Sequence, residues 1–353
     1  MSFNKKILSA MICAAVVMPG TASAYEIIGK KLEIYGKAHI SVDASDDDNG
    51  TDETSISSNS TRLGFKGKHE INDNLSVVYK IEQEILFDQG EGTFASRNAY
   101  VGLKGGFGTV LAGKHDTPFK DVGGKWGMFG DTVADRRAIL GAADGKGNTM
   151  NQRANNSIMY IGKFGKPVEF RAMYSTDGLD DSGGAIDAKD ENLFSTSLVY
   201  KTKKLRLGVA YEDWDNLKGN GQVDGWRAAG TYDFGKVKAG LIYESIDSND
   251  SALFNRDVWG VNAAFKVNKN TSLKAQYLVA DDHDGESDSG ANMASIGLFN
   301  KLDKQTTIYA AYTRTDNDSN AKFQGVDGGH GDEVKTVDGG TPQAFSAGLV
   351  FKF

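Results

Sequence analysis

Cysteine is almost absent from this sequence of 353 residues. The one cysteine, Cys13, precedes the cleavage site predicted below, so the rest of the chain has no thiol and can form no disulfide. This excludes thiolate metal sites and cysteine nucleophiles. It also suits an exported protein that is stabilised by a ladder of backbone hydrogen bonds.

Long apolar runs are absent as well. Beyond residue 24 there is no run of 18 or more apolar residues, so the sequence predicts no helix that spans a bilayer. Hydrophobic residues make up only 39% of the chain, which is low for one large core. A β-barrel with an aqueous lumen accounts for this composition, because each strand then needs only one apolar face.

The first 24 residues have the three parts of an export signal. Two lysines form the basic part, residues 7–18 are apolar, and a small-residue cleavage site ends at Ala24. We therefore expect a signal peptide over 1–24 and the mature domain over 25–353. Cleavage leaves 38 basic and 47 acidic residues, a net charge of −9, which argues against a nucleic-acid partner.

Apolar and polar residues alternate in segment after segment of the mature chain. One face of the first segment carries Leu32, Ile34, Gly36, Ala38, Ile40 and Val42. The other face carries Glu33, Tyr35, Lys37, His39, Ser41 and Asp43. A period of two places these sets on opposite faces of a strand, one suited to lipid and the other to water.

Sixteen such segments can be counted, and they predict sixteen strands. They lie near 31–43, 60–70, 75–87, 94–104, 107–115, 152–163, 167–176, 192–202, 205–214, 222–234, 237–246, 256–267, 271–280, 291–301, 305–315 and 343–353. Short turns alternate with long polar loops, the latter at 44–59, 116–151, 177–191, 215–221, 247–256, 281–290 and 316–342. This asymmetry is typical of an outer-membrane barrel, and an even strand count closes the sheet without an exposed edge. A soluble sandwich would not explain the export signal and the loop asymmetry together.

Several motifs resemble Gram-negative general diffusion porins. The runs at 32–37 and 61–67 resemble the first two strands of that family, and those at 96–103 and 106–113 resemble its fourth and fifth strands. The terminal Phe353 matches the family's assembly signal. The resemblance implies an all-β, 16-stranded antiparallel transmembrane barrel, a homotrimer, and a long third loop folded into the lumen.

By the same resemblance, the third loop, 116–151, sets the width of the channel. In relatives, carboxylates on this loop face a ladder of basic side chains on the barrel wall. The basic residues implied here are Lys37, Arg62, Arg97, Arg136, Arg137 and Arg153. The implied loop carboxylates are Asp121, Asp131 and Asp135. Trp126 and Phe129 are predicted to pack the loop against the wall.

The charge of this loop predicts its selectivity. Gly-Met-Phe-Gly at 127–130 stands where enteric relatives have Pro-Glu-Phe-Gly, so a glutamate is missing. Between Lys114 and Arg153 there are seven basic and five acidic residues. Because charges in a narrow zone are screened less than those of the acidic outer loops, we expect a weak anion preference at high salt that shifts toward cations as salt falls.

Signals of other functions are weak. His39, Ser41 and Asp43 share one strand face, but alternate residues lie nearly 7 Å apart, too far for a nucleophile to contact its base. No phosphate-binding or nucleophile-elbow motif occurs in the sequence. The acidic loops at 46–48 and 281–288 could bind divalent cations, although solvated anionic loops are the simpler interpretation.

The leading interpretation is an outer-membrane porin for passive diffusion of small hydrophilic solutes and ions, with no catalytic residue, cofactor or metal. The alternatives are a substrate-selective channel for a sugar, nucleoside or anion, and a hydrolase or adhesin built on a barrel. The expected partners are two further copies of the chain, outer-membrane lipid and lipopolysaccharide, and the barrel assembly machinery.

Overall fold

The alternating segments form the strands of one closed barrel. A computed structural model describes residues 25–26, 32–90, 92, 94–143, 147–148, 150–179 and 191–353, so the predicted signal peptide lies outside the described residues. The barrel strands are β1 (Glu33–Asp46), β2 (Asp52–Ser58 and Arg62–Asn72), β3 (Leu75–Glu84), β4 (Ala99–Gly105), β5 (Gly108–Asp116), β6 (Arg153–Phe164), β7 (Val168–Ser175), β8 (Leu193–Lys201), β9 (Leu205–Trp214), β10 (Val223–Asp233), β11 (Val237–Ser248), β12 (Arg256–Lys266), β13 (Thr271–Ala280), β14 (Ala291–Lys301), β15 (Thr306–Asn317) and β16 (Gln343–Lys352). The described residues thus confirm the prediction of sixteen strands.

Every strand pairs antiparallel with the next one along the chain. The sheet closes because β16 pairs with β1, in a register that sets Lys352 opposite Lys37. The remaining elements of the described residues are the helix α1 (Pro118–Trp126), two 3-10 helices (Arg136–Ala138 and Ala252–Phe254) and two-residue strands at Tyr25–Glu26, Ala142–Ala143 and Gly147–Asn148. Among the described residues no helix is long and apolar enough to cross a membrane.

The two faces of each strand meet different surroundings, as the alternation predicts. On β1 the Val42 side chain is 44% exposed, whereas its neighbour Asp43 is 3% exposed. On β11 Leu241 is 67% exposed and Glu244 is fully buried. Apolar side chains therefore point outward and polar ones inward, which is the inverse of a soluble protein and requires lipid around the barrel.

Two strand boundaries were predicted wrongly. The sequence predicts a loop over 44–59, but residues 52–58 pair with 40–46. Both strands therefore extend into this stretch, and the loop between them has only five residues, 47–51. The Asp and Ser content of this stretch favours a loop, although Thr54 and Ile56 keep the strand alternation. Residues 59–61 form a bulge that interrupts β2, where the backbone N–H of Asn59 donates to the carbonyl of His39 at 2.8 Å. The fourth strand begins at Ala99 and not at residue 94.

The short turns have the chemistry that the sequence predicts. The side chains of Asn72, Asn268 and Asp303 each accept a hydrogen bond from the backbone N–H two residues further on, at 2.8–3.0 Å. Such Asx turns reverse the chain in few residues. They leave the long connections to the opposite rim of the barrel.

The buried apolar core lies where long loops meet the inner face of the barrel. The segment between β5 and β6, called here the 117–151 segment, contributes Phe119, Trp126 and Phe129 to three buried clusters. Strand residues complete each cluster, as Trp214 does in the first. The segment between β15 and β16, called the 318–342 segment, adds Phe323 to the second cluster.

Candidate constriction site

The 117–151 segment turns away from β5 through a capped helix. Thr117 is the N-cap of α1, and its side chain accepts a hydrogen bond from the backbone N–H of Lys120 at 3.2 Å. Pro118 occupies the first helical turn, where its missing N–H has no cost. The helix therefore starts immediately after the strand, and its buried face carries Phe119, Val122 and Trp126.

Polar side chains from the inner faces of many strands hold this segment. Three of them donate to its backbone carbonyls: Asn262 of β12 to Trp126 at 3.0 Å, Lys274 of β13 to Met128 at 2.8 Å, and Gln276 of β13 to Ala134 at 2.8 Å. The backbone N–H of Phe119 donates to Ser195 of β8 at 3.2 Å. Trp126 and Phe129 are each 1% exposed and pack against the wall, as predicted.

A buried ion pair on β10 and β11 joins both halves of the segment. Arg227 and Glu244 have fully buried side chains, and the guanidinium Nε donates to Glu244 Oε2 at 2.6 Å. Arg227 also donates to the carbonyl of Phe119 at 3.0 Å and to Asn151 Oδ1 at 2.9 Å. Glu244 accepts from the backbone N–H of Gly141 at 2.6 Å. The pair was not among the residues predicted from the sequence, although the inward parity of Glu244 is visible there.

Asp131 lies between two cations. Its carboxylate accepts from Lys37 Nζ of β1 at 2.7 Å and from Arg137 at 3.0 Å. Burial opposes the charge, but these two partners hold the pKa of Asp131 well below its usual range. Lys37 is 6% exposed, so this member of the predicted basic wall is bound to the loop and does not face open solvent.

Arg136 and Arg137 were predicted to belong to the basic wall, but both lie on the loop. Both belong to the 3-10 helix that Asp135 caps by accepting from the backbone N–H of Arg137 at 3.0 Å. Asp135 is fully buried, and Arg137 pairs with it at 2.7 Å while Arg136 lies 3.5 Å away. Burial opposes ionisation, yet Arg137 lowers the pKa of Asp135. A short helix inside the loop carries these residues, and no strand alternation could have placed them.

Two further predicted residues, Arg153 and Asp121, also form ion pairs. Arg153 contacts Asp116 at 3.1 Å, and Lys120 contacts the same carboxylate at 2.9 Å. Burial lowers the pKa of Lys120 to about 8, although Asp116 opposes this. Asp121 lies 3.3 Å from Arg171 of β7.

Glu82 of β3 organises the remaining basic residues. It is 4% exposed and accepts from Arg97 Nε at 2.9 Å and from Tyr35 at 2.7 Å. Lys80 lies 3.1 Å away and Arg62 lies 3.9 Å away. The family resemblance directs attention to the basic side chains, so this carboxylate on the wall was missed as a site residue despite its inward parity.

Some of these groups, Asp131 and Arg153 among them, border a cavity of about 810 Å³. Its basic lining residues are Arg62, Arg97, Lys114, Lys120, Arg136, Arg137, Arg153 and Lys218. Its acidic lining residues are Glu84, Asp116, Asp121, Asp131 and Glu191. Among the described residues, eight basic side chains stand against five acidic ones, so this part of the lining is positive. Asp144 and Lys146, which entered the charge count from the sequence, lie outside the described residues.

Phe353 closes the barrel seam. Its backbone exchanges two hydrogen bonds with Gly36 of β1, at 2.9 and 3.2 Å. Its ring covers Gly36 so closely that a side chain there would overlap it.

The features that could have indicated other functions have structural partners. Ser41 donates to Asp43 at 2.8 Å, and His39 contacts the hydroxyl of Tyr309 at 2.9 Å, so neither contact pairs the serine with the histidine. Among the described residues no group of three or more His, Cys, Asp or Glu side chains could hold a metal ion, which includes both acidic loops.

Known porins share the closed sixteen-stranded antiparallel barrel described above. Residues 9–320 match the Gram-negative porin family. The chain belongs to this family. A monosaccharide porin from a Halomonas species is 26% identical to this porin over 293 residues, which cover 74% of this chain and 76% of the relative. The outer membrane porin protein OmpD of Salmonella typhimurium is 26% identical over 288 residues, covering 76% of this chain and 74% of the relative.

Solved structures show the same fold. An anion-selective porin from Comamonas acidovorans superimposes with a TM-score of 0.79 at 19% identity, covering 92% of this chain and 99% of that one. OmpF of Salmonella typhi gives 0.69 at 16% identity, covering 92% and 98%. This porin is therefore a bacterial outer-membrane channel for the passive diffusion of small solutes.

Proposed function

We propose that this porin is a non-enzymatic general diffusion channel in which the 117–151 segment narrows the lumen and a positive lining favours small anions. The observation that carries the proposal is the cavity whose described lining has eight basic and five acidic residues. The polar contacts of the segment support its place in the lumen, because Asn262, Lys274 and Gln276 lie on the inward faces of their strands.

Two of the acidic residues are neutralised by pairing, which adds to the excess of basic residues. Asp131 is held between Lys37 and Arg137, and Asp116 between Lys120 and Arg153. Arg62 has a weaker neutralising contact, since its side chain is 26% exposed and lies 3.9 Å from Glu82. A permeating anion therefore meets Arg62, whose charge Glu82 does not fully cancel.

Reversal potentials across a planar bilayer in a KCl gradient test the anion preference. We expect anion preference at 1 M salt, where the Debye length is about 3 Å, and a shift toward cations at 0.01 M, where it is about 30 Å. Arg62→Ala should weaken the anion preference, whereas Lys163→Ala, at an exposed position near a turn, serves as the control. A firm cation preference at 1 M that Arg62→Ala leaves unchanged would contradict the proposal.

Liposome swelling separates general diffusion from substrate selectivity. Rates that fall smoothly with the size of neutral sugars support general diffusion. One preferred solute would instead support a specific channel, such as the monosaccharide porin of Halomonas is named for. Complete absence of permeation would reject both.

We also propose that the protein matures by removal of residues 1–24 and assembles as a homotrimer in contact with lipid and lipopolysaccharide after insertion by the barrel assembly machinery. A solved relative, OmpT of Vibrio cholerae, is described in trimer form. Light scattering in detergent should give the mass of three chains. A monomeric mass in an unheated sample would contradict the trimer.

A further inference from the structure

The 318–342 segment packs onto the 117–151 segment. Val326 is fully buried and belongs to the same apolar cluster as Phe129 and Val133. Val326 also bridges Val334 of its own segment through a backbone hydrogen bond of 3.1 Å, so this part of the segment is a small hairpin. Buried apolar contact with the 117–151 segment places this hairpin beside the cavity.

The tip of the hairpin touches the charged centre of the candidate site. Gly328 lines the cavity and has a positive φ of 91°. A Cβ added at Gly329 would overlap both the carboxylate of Asp131 and the guanidinium of Arg137. Only a glycine allows the backbone to approach these two groups so closely.

Polar contacts fasten the same tip to the barrel wall. His330 Nε2 lies 3.1 Å from the carboxylate of Asp43 on β1, and both side chains are nearly fully buried. The backbone N–H of Gly331 donates to Asn59 at 2.8 Å, and Asp332 accepts from Ser57 of β2. Further along, the hydroxyl of Thr336 donates to the carbonyl of Asp47 at 2.6 Å.

We propose that the 318–342 segment is a second constriction element, which fixes the width of the channel beside Asp131 and Arg137 and is fastened to the wall by the His330–Asp43 pair. This proposal rests on the proposed function, because it takes the cavity as part of the solute path. In this arrangement the solute passes between two loops, and the porin needs both of them to set its size limit.

Single-channel recordings with neutral polyethylene glycols of graded size test this proposal. His330→Ala removes the fastening pair, so conductance, open-channel noise and the largest glycol that enters the channel should all increase. Lys335→Ala is the control, because this lysine lies on the same segment with a side chain that is 76% exposed. Unchanged conductance, noise and size limit in His330→Ala would overturn the second-constriction role.

A second pair of variants guards against a folding defect. Gly329→Ala should alter both conductance and anion preference by displacing Asp131 or Arg137. Gly106→Ala, in the short turn between β4 and β5, adds a methyl group to open space away from the cavity and should change little. Heat-modifiable migration on gels verifies that each variant forms a barrel. If Arg62→Ala weakens the anion preference but neither His330→Ala nor Gly329→Ala has an effect, the proposal of a second constriction is wrong. The proposed diffusion channel is then still supported.

Discussion

Lys37 on the first strand and Asp131, 94 residues further along the chain, form an ion pair of 2.7 Å. Arg137 holds the other side of the same carboxylate at 3.0 Å. The base on the wall and the acid on the loop therefore bind each other directly and do not face each other across open solvent. We infer that Lys37 positions the loop and screens a carboxylate that would otherwise attract cations.

Replacing Lys37 should change the ion selectivity of the channel. In Lys37→Met the carboxylate of Asp131 loses one of its two cations, so the reversal potential in a KCl gradient should move toward cations. Lys66→Met is the matched control, because Lys66 pairs with Glu33 at 2.9 Å with 44% of its side chain exposed. A reversal potential that moves equally in both variants would mean that the Lys37–Asp131 pair has no special role.

The Arg227–Glu244 pair should stabilise the folded barrel. Arg227→Met leaves the buried carboxylate of Glu244 without its cation, which costs about 3–5 kcal/mol. Arg314→Met removes a pair with Asp316 whose side chains are 43% and 50% exposed, so it should cost at most about 1 kcal/mol. Urea unfolding of the refolded protein in detergent compares the two. Equal free energies of unfolding would contradict the role of Arg227 as an anchor.

The fold could be predicted from the sequence because a barrel wall repeats one local rule. Polar and apolar residues alternate along each strand, and Val42 beside Asp43 shows that alternation alone fixes the face. The boundary at 44–59 was wrong because polar strand ends beyond the lipid have the composition of loops. The site was predicted only in part, since Arg136, Arg137 and the 318–342 segment are placed by tertiary packing and follow no period.

The barrel seam should depend on the contact between Gly36 and Phe353. Deleting Phe353 removes two backbone hydrogen bonds and the ring that covers Gly36. Gly36→Leu keeps the terminal residue but displaces that ring, so both variants should lower the amount of folded barrel in the outer membrane. Gly106→Ala is the control, since a methyl group there meets open space. Normal membrane levels of both seam variants would mean that assembly does not depend on Phe353, contrary to the prediction.

The fastening of the 318–342 segment should weaken as pH rises. Burial disfavours the charged form of His330, but the carboxylate of Asp43 on β1 and the backbone and side chain of Asp332 raise its pKa above the ordinary value of 6.5. His39 on β1 is a further titratable group nearby, since it interacts electrostatically with His330. A raised pKa means that the folded state holds the proton more tightly than the unfolded segment does. The stabilisation is therefore complete below pH 6.5 and is lost as pH rises through the raised pKa.

Recordings at a series of pH values check this sign. Wild-type open-channel noise and conductance should rise as pH increases above 6.5, and His330→Gln should be noisy at every pH with little further change. Lys120 is the competing group, because burial lowers its pKa to about 8 and it lines the same cavity. Its deprotonation removes a positive charge, so it should reduce anion preference without raising the noise, and Lys120→Met should abolish that change alone. A pH response of the noise that survives in His330→Gln but disappears in Lys120→Met would assign the titration to Lys120 and would reject the histidine as the fastening group.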